Sequence, residues 1–284
     1  MDPVSQFVAS YKIPVGQWGK ALIELIIDWF QWLFDALKVS MNFLVEGATG
    51  LLLMIPPVGL AAIFAGLVFW LQRSKPLALG AFLSLLLIIN LGLWKETVQT
   101  LVLVVAATAT SMAIGVPLGI WAAHKPRVWR VMQPTLDLMQ TMPTFVYLIP
   151  ILILFGLGAA PALIVTVIFA MPAPVRMTYL GITSIPKPMI EAGESFGATK
   201  RQLLWKVELP AATPSIMAGL TQCIMLSLSM VVFATLIGAP SLGNPVNKAL
   251  ATRNIPLGIE AGLAIVIIAI ILDRALAVRH GAKK

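Results

Sequence analysis

The chain has 284 residues, of which 59% are hydrophobic and 11% are charged, and its mean hydropathy is +0.92. Because soluble domains carry about 25% charged residues, this composition excludes an ordinary soluble domain and indicates an all-α membrane protein that crosses the bilayer several times. The net charge of +8 does not indicate a nucleic-acid partner, since the basic residues lie in short connections between apolar runs, where they act as orientation signals.

The N-terminal part of the chain, residues 1–50, is predicted to be an external extension. Its segment WGKALIELIIDWFQWLFDALK, residues 18–38, places charged residues at spacings of four and seven, which puts them on one helical face. These residues are Lys20, Glu24, Asp28 and Asp35. The pattern favours an amphipathic helix on the external membrane surface, with its tryptophans at the headgroup level. The alternative is an additional crossing, which would turn the N-terminus inward.

Uncharged runs of about 18 or more residues predict seven spans. Two accessory spans within residues 51–95 precede a core domain at 96–277, and residues 278–284 form a cytoplasmic tail. The run 138–175 is split at FGLGAAP, residues 155–161, because its glycines and proline mark a turn. The fold class is therefore a polytopic helical bundle of about seven transmembrane helices. The spans are predicted at 55–72, 76–94, 97–123, the two halves of 138–175, 211–238 and 255–272.

The distribution of basic residues predicts the orientation. Of the 20 Lys and Arg residues, 14 fall on one set of connections and 6 on the other, and the richer set is cytoplasmic. Seven spans then place the N-terminus outside and the C-terminus in the cytoplasm. The runs from residue 55 to residue 247 carry charges only at their loop edges, which argues against a carrier driven by a proton or sodium gradient.

A polar connection, residues 183–210, interrupts this apolar chain. Its sequence predicts a short helix over 190–196 that ends at Gly197 with a positive φ. Thr199 is predicted to cap a second helix over 200–208, which is expected to stop before Pro210. The prediction is two short helices with a bend, lying along the cytoplasmic membrane surface.

The same connection carries the pattern E-A-G-x-x-x-G, nine further residues, then V-x-L-P. It resembles the EAA motif of ABC-importer permease subunits, with Val207 in place of the usual Ile. The matching residues are Glu191, Ala192, Gly197, Leu209 and Pro210, and Gly193 stands where the motif has its second Ala. The resemblance extends over about residues 95–275. The stretches TMPTFVYLIPILILFGLGAAPALI and IGAPSLG resemble the glycine betaine/proline betaine/choline family of inner-membrane permeases most closely.

This resemblance implies a type I importer fold and a set of partners. The EAA segment would dock into a groove on a separate ATPase subunit, present in two copies, with Glu191 making a charge-assisted contact. Ala192 and Gly193 would allow close approach, and Gly197 would set the bend. The chain has no G-x-x-x-x-G-K-[ST] loop, so ATP hydrolysis is expected on the partner and the chain is not predicted to be an enzyme. An external solute-binding protein and a second copy of the permease complete the expected assembly.

Two further groups of residues are candidates for solute handling. Prolines at 143 and 150 are expected to bend the fourth span, and the residues around the first bend would line the solute pathway: Thr141, Met142, Thr144, Phe145 and Tyr147. The external segment 238–250 resembles the loop that contacts the binding protein, with Ser241, Leu242, Gly243 and Asn244 as candidates. Gly115 and Gly119 form a GxxxG pair that predicts helix packing.

The predicted function is import of a compatible solute such as glycine betaine, proline betaine, choline or carnitine by alternating access. The alternatives are an ABC permease for another small substrate such as an amino acid, a secondary transporter driven by an ion gradient, and a membrane scaffold without transport. The lone cysteine, Cys223, excludes a disulfide or zinc site within the chain. No catalytic residue, metal or cofactor is predicted.

Overall fold

A computed structural model describes residues 14–276, and all of the regular structure in this range is helical. The predicted all-α class is therefore confirmed, whereas the predicted tail at 278–284 lies outside the described residues. In chain order the helices are α1 (Val15–Leu53), α2 (Pro57–Gln72), α3 (Lys75–Asn90), α4 (Trp94–His124), α5 (Pro126–Thr141), α6 (Thr144–Phe155), α7 (Ala159–Ala170), α8 (Pro172–Thr183), α9 (Lys187–Ser195), α10 (Lys200–Leu203), a π-helix (Leu204–Glu208), α11 (Leu209–Ala234), a 3₁₀ turn (Thr235–Ile237), α12 (Gly243–Thr252) and α13 (Ile255–Leu276).

The candidate membrane spans follow from length and apolar composition. Five helical segments qualify among the described residues, and α5 with α6 makes a sixth if this pair, bent by 99°, is one span. The helices α2 and α3 are apolar but have 16 residues each, or about 24 Å, which is shorter than the hydrocarbon core of about 30 Å. The two segments predicted as accessory spans therefore form a hairpin of short apolar helices, and neither is among the candidate spans of the described residues.

The first helix, α1, is longer than the amphipathic segment at 18–38 and runs unbroken for 39 residues. Its middle is tied to the ends of α6 and α7. The ring of Phe34 meets Phe155 edge to face at 5.2 Å, and Asn42 Oδ1 accepts a hydrogen bond from the Ala160 N–H at 2.9 Å. Asn42 thereby caps α7, whose own N-cap residue, Gly158, has no side chain. The length and composition of α1 also satisfy those of a crossing.

Three helices, α4, α8 and α11, form the centre of the fold, named here the three-helix core. Glycines let these helices approach closely. A Cβ at Gly115 would lie 2.8 Å from Pro174 Cγ, and one at Gly119 would lie 2.7 Å from the Val175 carbonyl oxygen. A Cβ at Gly219 would lie 2.8 Å from Met177 Cβ. The predicted packing role of the GxxxG pair is therefore confirmed.

Candidate coupling and translocation sites

The coupling segment, defined as residues 187–210, begins with α9. This helix ends in a Schellman motif. Gly197 has φ +75°, its N–H donates to the Glu194 carbonyl at 2.8 Å, and the Ala198 N–H donates to the Gly193 carbonyl at 3.2 Å. Glycine is favoured here because a Cβ strains the left-handed conformation. The bend predicted at Gly197 is confirmed.

The second helix of the coupling segment starts with a capping box. Thr199 Oγ1 accepts from the Gln202 N–H at 3.3 Å, and the Thr199 N–H donates to Gln202 Oε1 at 2.8 Å. The sequence predicted that this helix stops before Pro210. In the structure it continues without a break from Lys200 to Ile237. The π-helix at Leu204–Glu208 widens the turn just before the proline. A wider turn accommodates a residue that has no N–H and a ring directed at the preceding carbonyls.

Most of the motif residues are open on the surface of the coupling segment. Glu191, Ala192, Gly197 and Pro210 are exposed, and α9 has no buried residue. Leu209 is half-buried.

Gly193 faces another part of the same chain, because a Cβ there would lie 2.7 Å from Leu203 Cδ1. Gly193 therefore lets α9 pack against the start of the next helix. Ala192 is left as the small residue of the pair that faces outward.

Large apolar side chains surround these motif residues. Phe196 is 93% exposed and Trp205 is 64% exposed. Met189 and Phe196 line an open groove of about 430 Å³ together with Ala192, Lys206 and Pro210. Exposed apolar side chains beside a groove are typical of a surface that contacts another protein or the membrane.

A side-chain contact joins the coupling segment to α4 of the three-helix core. Glu208 is buried in the π-helix, and its Oε2 lies 2.9 Å from Nε2 of His124, the last residue of α4. The contact is an ion pair when the ring is protonated. The N–H direction at His124 Nε2 does not point at Glu208 Oε2, so the contact is electrostatic rather than a straight hydrogen bond. His124 Nδ1 lies 2.9 Å from the Ile120 carbonyl oxygen, which fixes the ring at the end of α4.

The predicted pathway residues lie around the bend between α5 and α6. Pro143 stands at this bend and, having no N–H, leaves the Met139 carbonyl without its usual helical donor. The Tyr147 hydroxyl donates to that carbonyl instead, and Tyr147 is buried beside Phe169. Tyr147 therefore fixes the bend. Pro150, by contrast, lies inside α6 without ending it.

The other predicted pathway residues differ in exposure. Thr141 and Phe145 are exposed, whereas Met142 and Thr144 are half-buried. Phe145 also meets Phe233 of α11 edge to face at 5.1 Å.

The predicted contacts for a binding protein are mostly inside the fold. Ser241, Leu242 and Gly243 are buried, and the Leu242 N–H donates to Thr100 Oγ1 at 2.8 Å. A Cβ at Gly243 would lie 2.6 Å from Thr235 Cγ2. Only Asn244 is exposed, so the first three residues anchor the loop to α4 and α11 in this conformation.

Sequence reasoning missed one pair of charged residues. Arg176 directly follows the uncharged run 138–175, yet it lies within the continuous candidate span Ala159–Thr183. It forms an ion pair with Asp137 of α5. The rings of Tyr179, about one turn after Arg176 on α8, and Trp129, about two turns before Asp137 on α5, stack at 3.6 Å and 7°. The sequence signal was available, because these two charges flank the uncharged run 138–175.

A helical bundle with broken apolar spans and an exposed two-helix segment is the architecture expected of a membrane permease. Residues 115–278 match the family "Binding-protein-dependent transport system inner membrane component". The chain belongs to this family and is a multi-pass inner-membrane protein.

Named relatives match almost the whole chain. It is 46% identical over 257 residues to the glycine betaine transport system permease protein OpuAB of Bacillus subtilis, covering 89% of this chain and 91% of that protein. It is 43% identical over 277 residues to the glycine betaine/carnitine transport permease protein GbuB of Listeria monocytogenes, covering 96% and 90%. It is 42% identical over 262 residues to the glycine betaine/proline betaine permease ProW of Escherichia coli, covering 92% and 74%.

A solved structure shows the fold. The inward-facing MetNI methionine ABC transporter matches with a TM-score of 0.57 at 20% identity, over 66% of this chain and 96% of that chain. This similarity confirms the predicted type I importer-permease fold.

Proposed function

We propose that the chain is the transmembrane subunit of an ATP-driven importer that moves a quaternary-ammonium compatible solute into the cell by alternating access. The solute class is glycine betaine, proline betaine, choline or carnitine. Three relatives that share 42–46% of residues with this chain over most of its length are named for glycine betaine, two of them also for proline betaine or carnitine. The uncharged interior of most spans also supports an energy source on another subunit rather than an ion gradient.

The coupling segment is the proposed docking site for the ATPase. The observation that carries this proposal is the exposure of Glu191 and Ala192 on a short helix with no buried residue, and of Phe196 directly after it. Phe196 supplies an apolar anchor for a pocket, and Glu191 supplies a carboxylate for a basic residue. Gly197, Leu209 and Pro210 shape the segment. Through the His124–Glu208 contact, a displacement of this segment reaches the end of α4.

The proposed assembly contains two ATPase subunits, two copies of the permease and an external solute-binding protein. The coupling segment and C-terminus face the cytoplasm. The N-terminus faces outward if residues 18–38 lie on the external surface. Of the four residues predicted to contact the binding protein, Asn244 is the one available at the surface.

The test is Glu191→Lys in the complete importer, reconstituted in vesicles with its ATPase and binding protein. We expect ATP-driven uptake of radiolabelled glycine betaine to be lost, because the reversed charge repels the basic partner, while the variant still inserts and folds. Glu24→Lys, at an exposed carboxylate on α1, is the matched control and keeps wild-type uptake. Normal uptake by Glu191→Lys contradicts the coupling role, and uptake driven by an ion gradient without ATP contradicts the importer class.

A further inference from the structure

We propose that Arg176 and Asp137 form a zwitterion-binding site on the solute pathway, an inference that rests on the proposed function. Both residues are charged, both lie next to the bend between α5 and α6, and they are paired with each other. A solute that carries one ammonium and one carboxylate presents the complementary pair of charges.

The position of Arg176 excludes a loop role. It lies seven residues before the end of the span Ala159–Thr183, about 10 Å along the helix axis. A charged side chain at such a depth is unfavourable in hydrocarbon by several kcal/mol, and such residues face a water-filled cavity or another protein surface. Arg176 and Asp137 are nevertheless 32% and 52% exposed within the chain. Their open side therefore faces a cavity or a neighbouring subunit rather than lipid.

The packing of α8 shows which side is open. Its residues Pro174, Val175 and Thr178 pack against the glycines of α4, and Met177 packs against Gly219 of α11. The remaining face carries Arg176, Tyr179, Leu180 and Thr183, at helical spacings of three and four. Leu180 and Thr183 on this face are exposed. This is the face of α8 that the described residues leave open.

The chemistry of the pair suits a zwitterion. A guanidinium has five N–H donors in a planar fork that matches a carboxylate, and Asp137 accepts from only part of it. Arg176 Nε is buried and has no hydrogen-bond partner among the described residues, so the donors offered to a solute are those of the terminal nitrogens that Asp137 leaves unused. A quaternary ammonium has no N–H, so a carboxylate such as Asp137 attracts it by charge alone.

The two residues neutralise each other without solute and exchange partners when a zwitterion arrives. Each lost internal contact is replaced by a contact to the solute, so binding stays weak. Weak binding suits a transport pathway, where the solute enters and then leaves. The stacked rings of Trp129 and Tyr179 hold α5 against α8, which keeps the two residues on facing helices while their side chains change partners.

The first experiment measures uptake of radiolabelled glycine betaine by the complete importer in vesicles. Arg176→Gln and Asp137→Asn each lower uptake by roughly tenfold or more, because one charge of the solute loses its partner, while the ATPase still hydrolyses ATP. Lys20→Gln, which removes a cation from an exposed ion pair on α1, leaves uptake unchanged.

The neutral double variant Asp137→Asn/Arg176→Gln separates binding from structure. It stays defective if the charges bind solute. Wild-type uptake by this variant overturns the proposal, since an ion pair that only supports the fold or a subunit interface is replaceable by a neutral hydrogen-bonded pair. If the wild-type complex itself takes up no glycine betaine, the proposed function fails rather than this inference.

The second experiment measures how bound solute protects an introduced thiol, and it requires no transport. Thr141→Cys places a thiol one turn after Asp137 on an exposed position, and the native Cys223 is buried. We expect millimolar glycine betaine to slow the reaction of this thiol with a charged thiol reagent, and tetramethylammonium, which lacks a carboxylate, to slow it less. In the Arg176→Gln background the difference disappears. Two results contradict the site when Arg176 is present: glycine betaine and tetramethylammonium slow the thiol reaction equally, or neither compound slows it.

Discussion

The three-helix core and the coupling segment use small residues in opposite ways. In the core, Gly119 is required by proximity, because an added Cβ would lie 2.7 Å from a backbone oxygen. In the coupling segment, Gly197 is required by conformation, because φ is +75° and no atom lies within 4 Å of an added Cβ. The first glycine closes a packed interface, and the second only shapes a surface.

This difference suits a transporter in which the exposed coupling segment binds a partner and the packed three-helix core moves in response. Packed interiors transmit displacement because they are close to incompressible. A docking surface needs exposed anchors, which contribute little to the stability of the chain itself. Substitutions in the two regions therefore separate stability from transport, and the following predictions run from the largest expected effect on stability to the smallest.

Gly119→Leu is expected to destabilise the protein most. The new side chain forces α4 away from the Val175 carbonyl and Thr178, and such overpacking lowers the free energy of unfolding by about 3 kcal/mol. Thermal unfolding in detergent measures the loss. Gly66→Leu is the matched control on α2, where an added Cβ meets nothing within 4 Å. An unchanged melting temperature for Gly119→Leu would show that α4 and α8 are not in contact in solution.

His124→Ala is expected to have an intermediate effect, since it acts where the two regions meet. It leaves the buried Glu208 carboxylate without its partner. Because His124 is 45% exposed, the loss of stability is below the roughly 3–5 kcal/mol typical of a fully buried pair.

Glu208→Gln removes the charge itself and is expected to cost less than His124→Ala, and the double variant should resemble Glu208→Gln alone. Melting temperatures of the three variants give this ranking. A larger loss of stability for Glu208→Gln than for His124→Ala would show that an unpaired buried charge is not the cause.

Phe196→Ala is expected to leave stability within about 0.5 kcal/mol of the wild type, as for other surface changes. Its side chain is 93% exposed, so the folded chain loses almost no contact. Uptake by the complete importer should nevertheless fall, because docking to the ATPase loses its apolar anchor. Trp18→Ala, at an exposed aromatic residue of α1, serves as the control. A large drop in melting temperature, or normal uptake, would break the contrast between the two regions.

The sequence by itself determined the helical membrane class, the turn at Gly197, the cap at Thr199 and the packing role of Gly115 and Gly119. The glycine turn and the threonine cap depend on backbone geometry within a few residues, and the apolar runs report directly on the bilayer. Such signals are complete in a short window of sequence.

Only the tertiary structure decided which residues are paired or covered. In the structure the helix continues through Pro210 by means of a wider turn. Ser241 to Gly243 are buried against α4 and α11, and the Tyr147 hydroxyl donates a hydrogen bond to the Met139 carbonyl. The tertiary structure also joined Arg176 to Asp137, 39 residues earlier in the chain. Each of these features depends on a contact formed by packing, and a contact between distant residues leaves no periodic trace in the sequence from which it can be predicted.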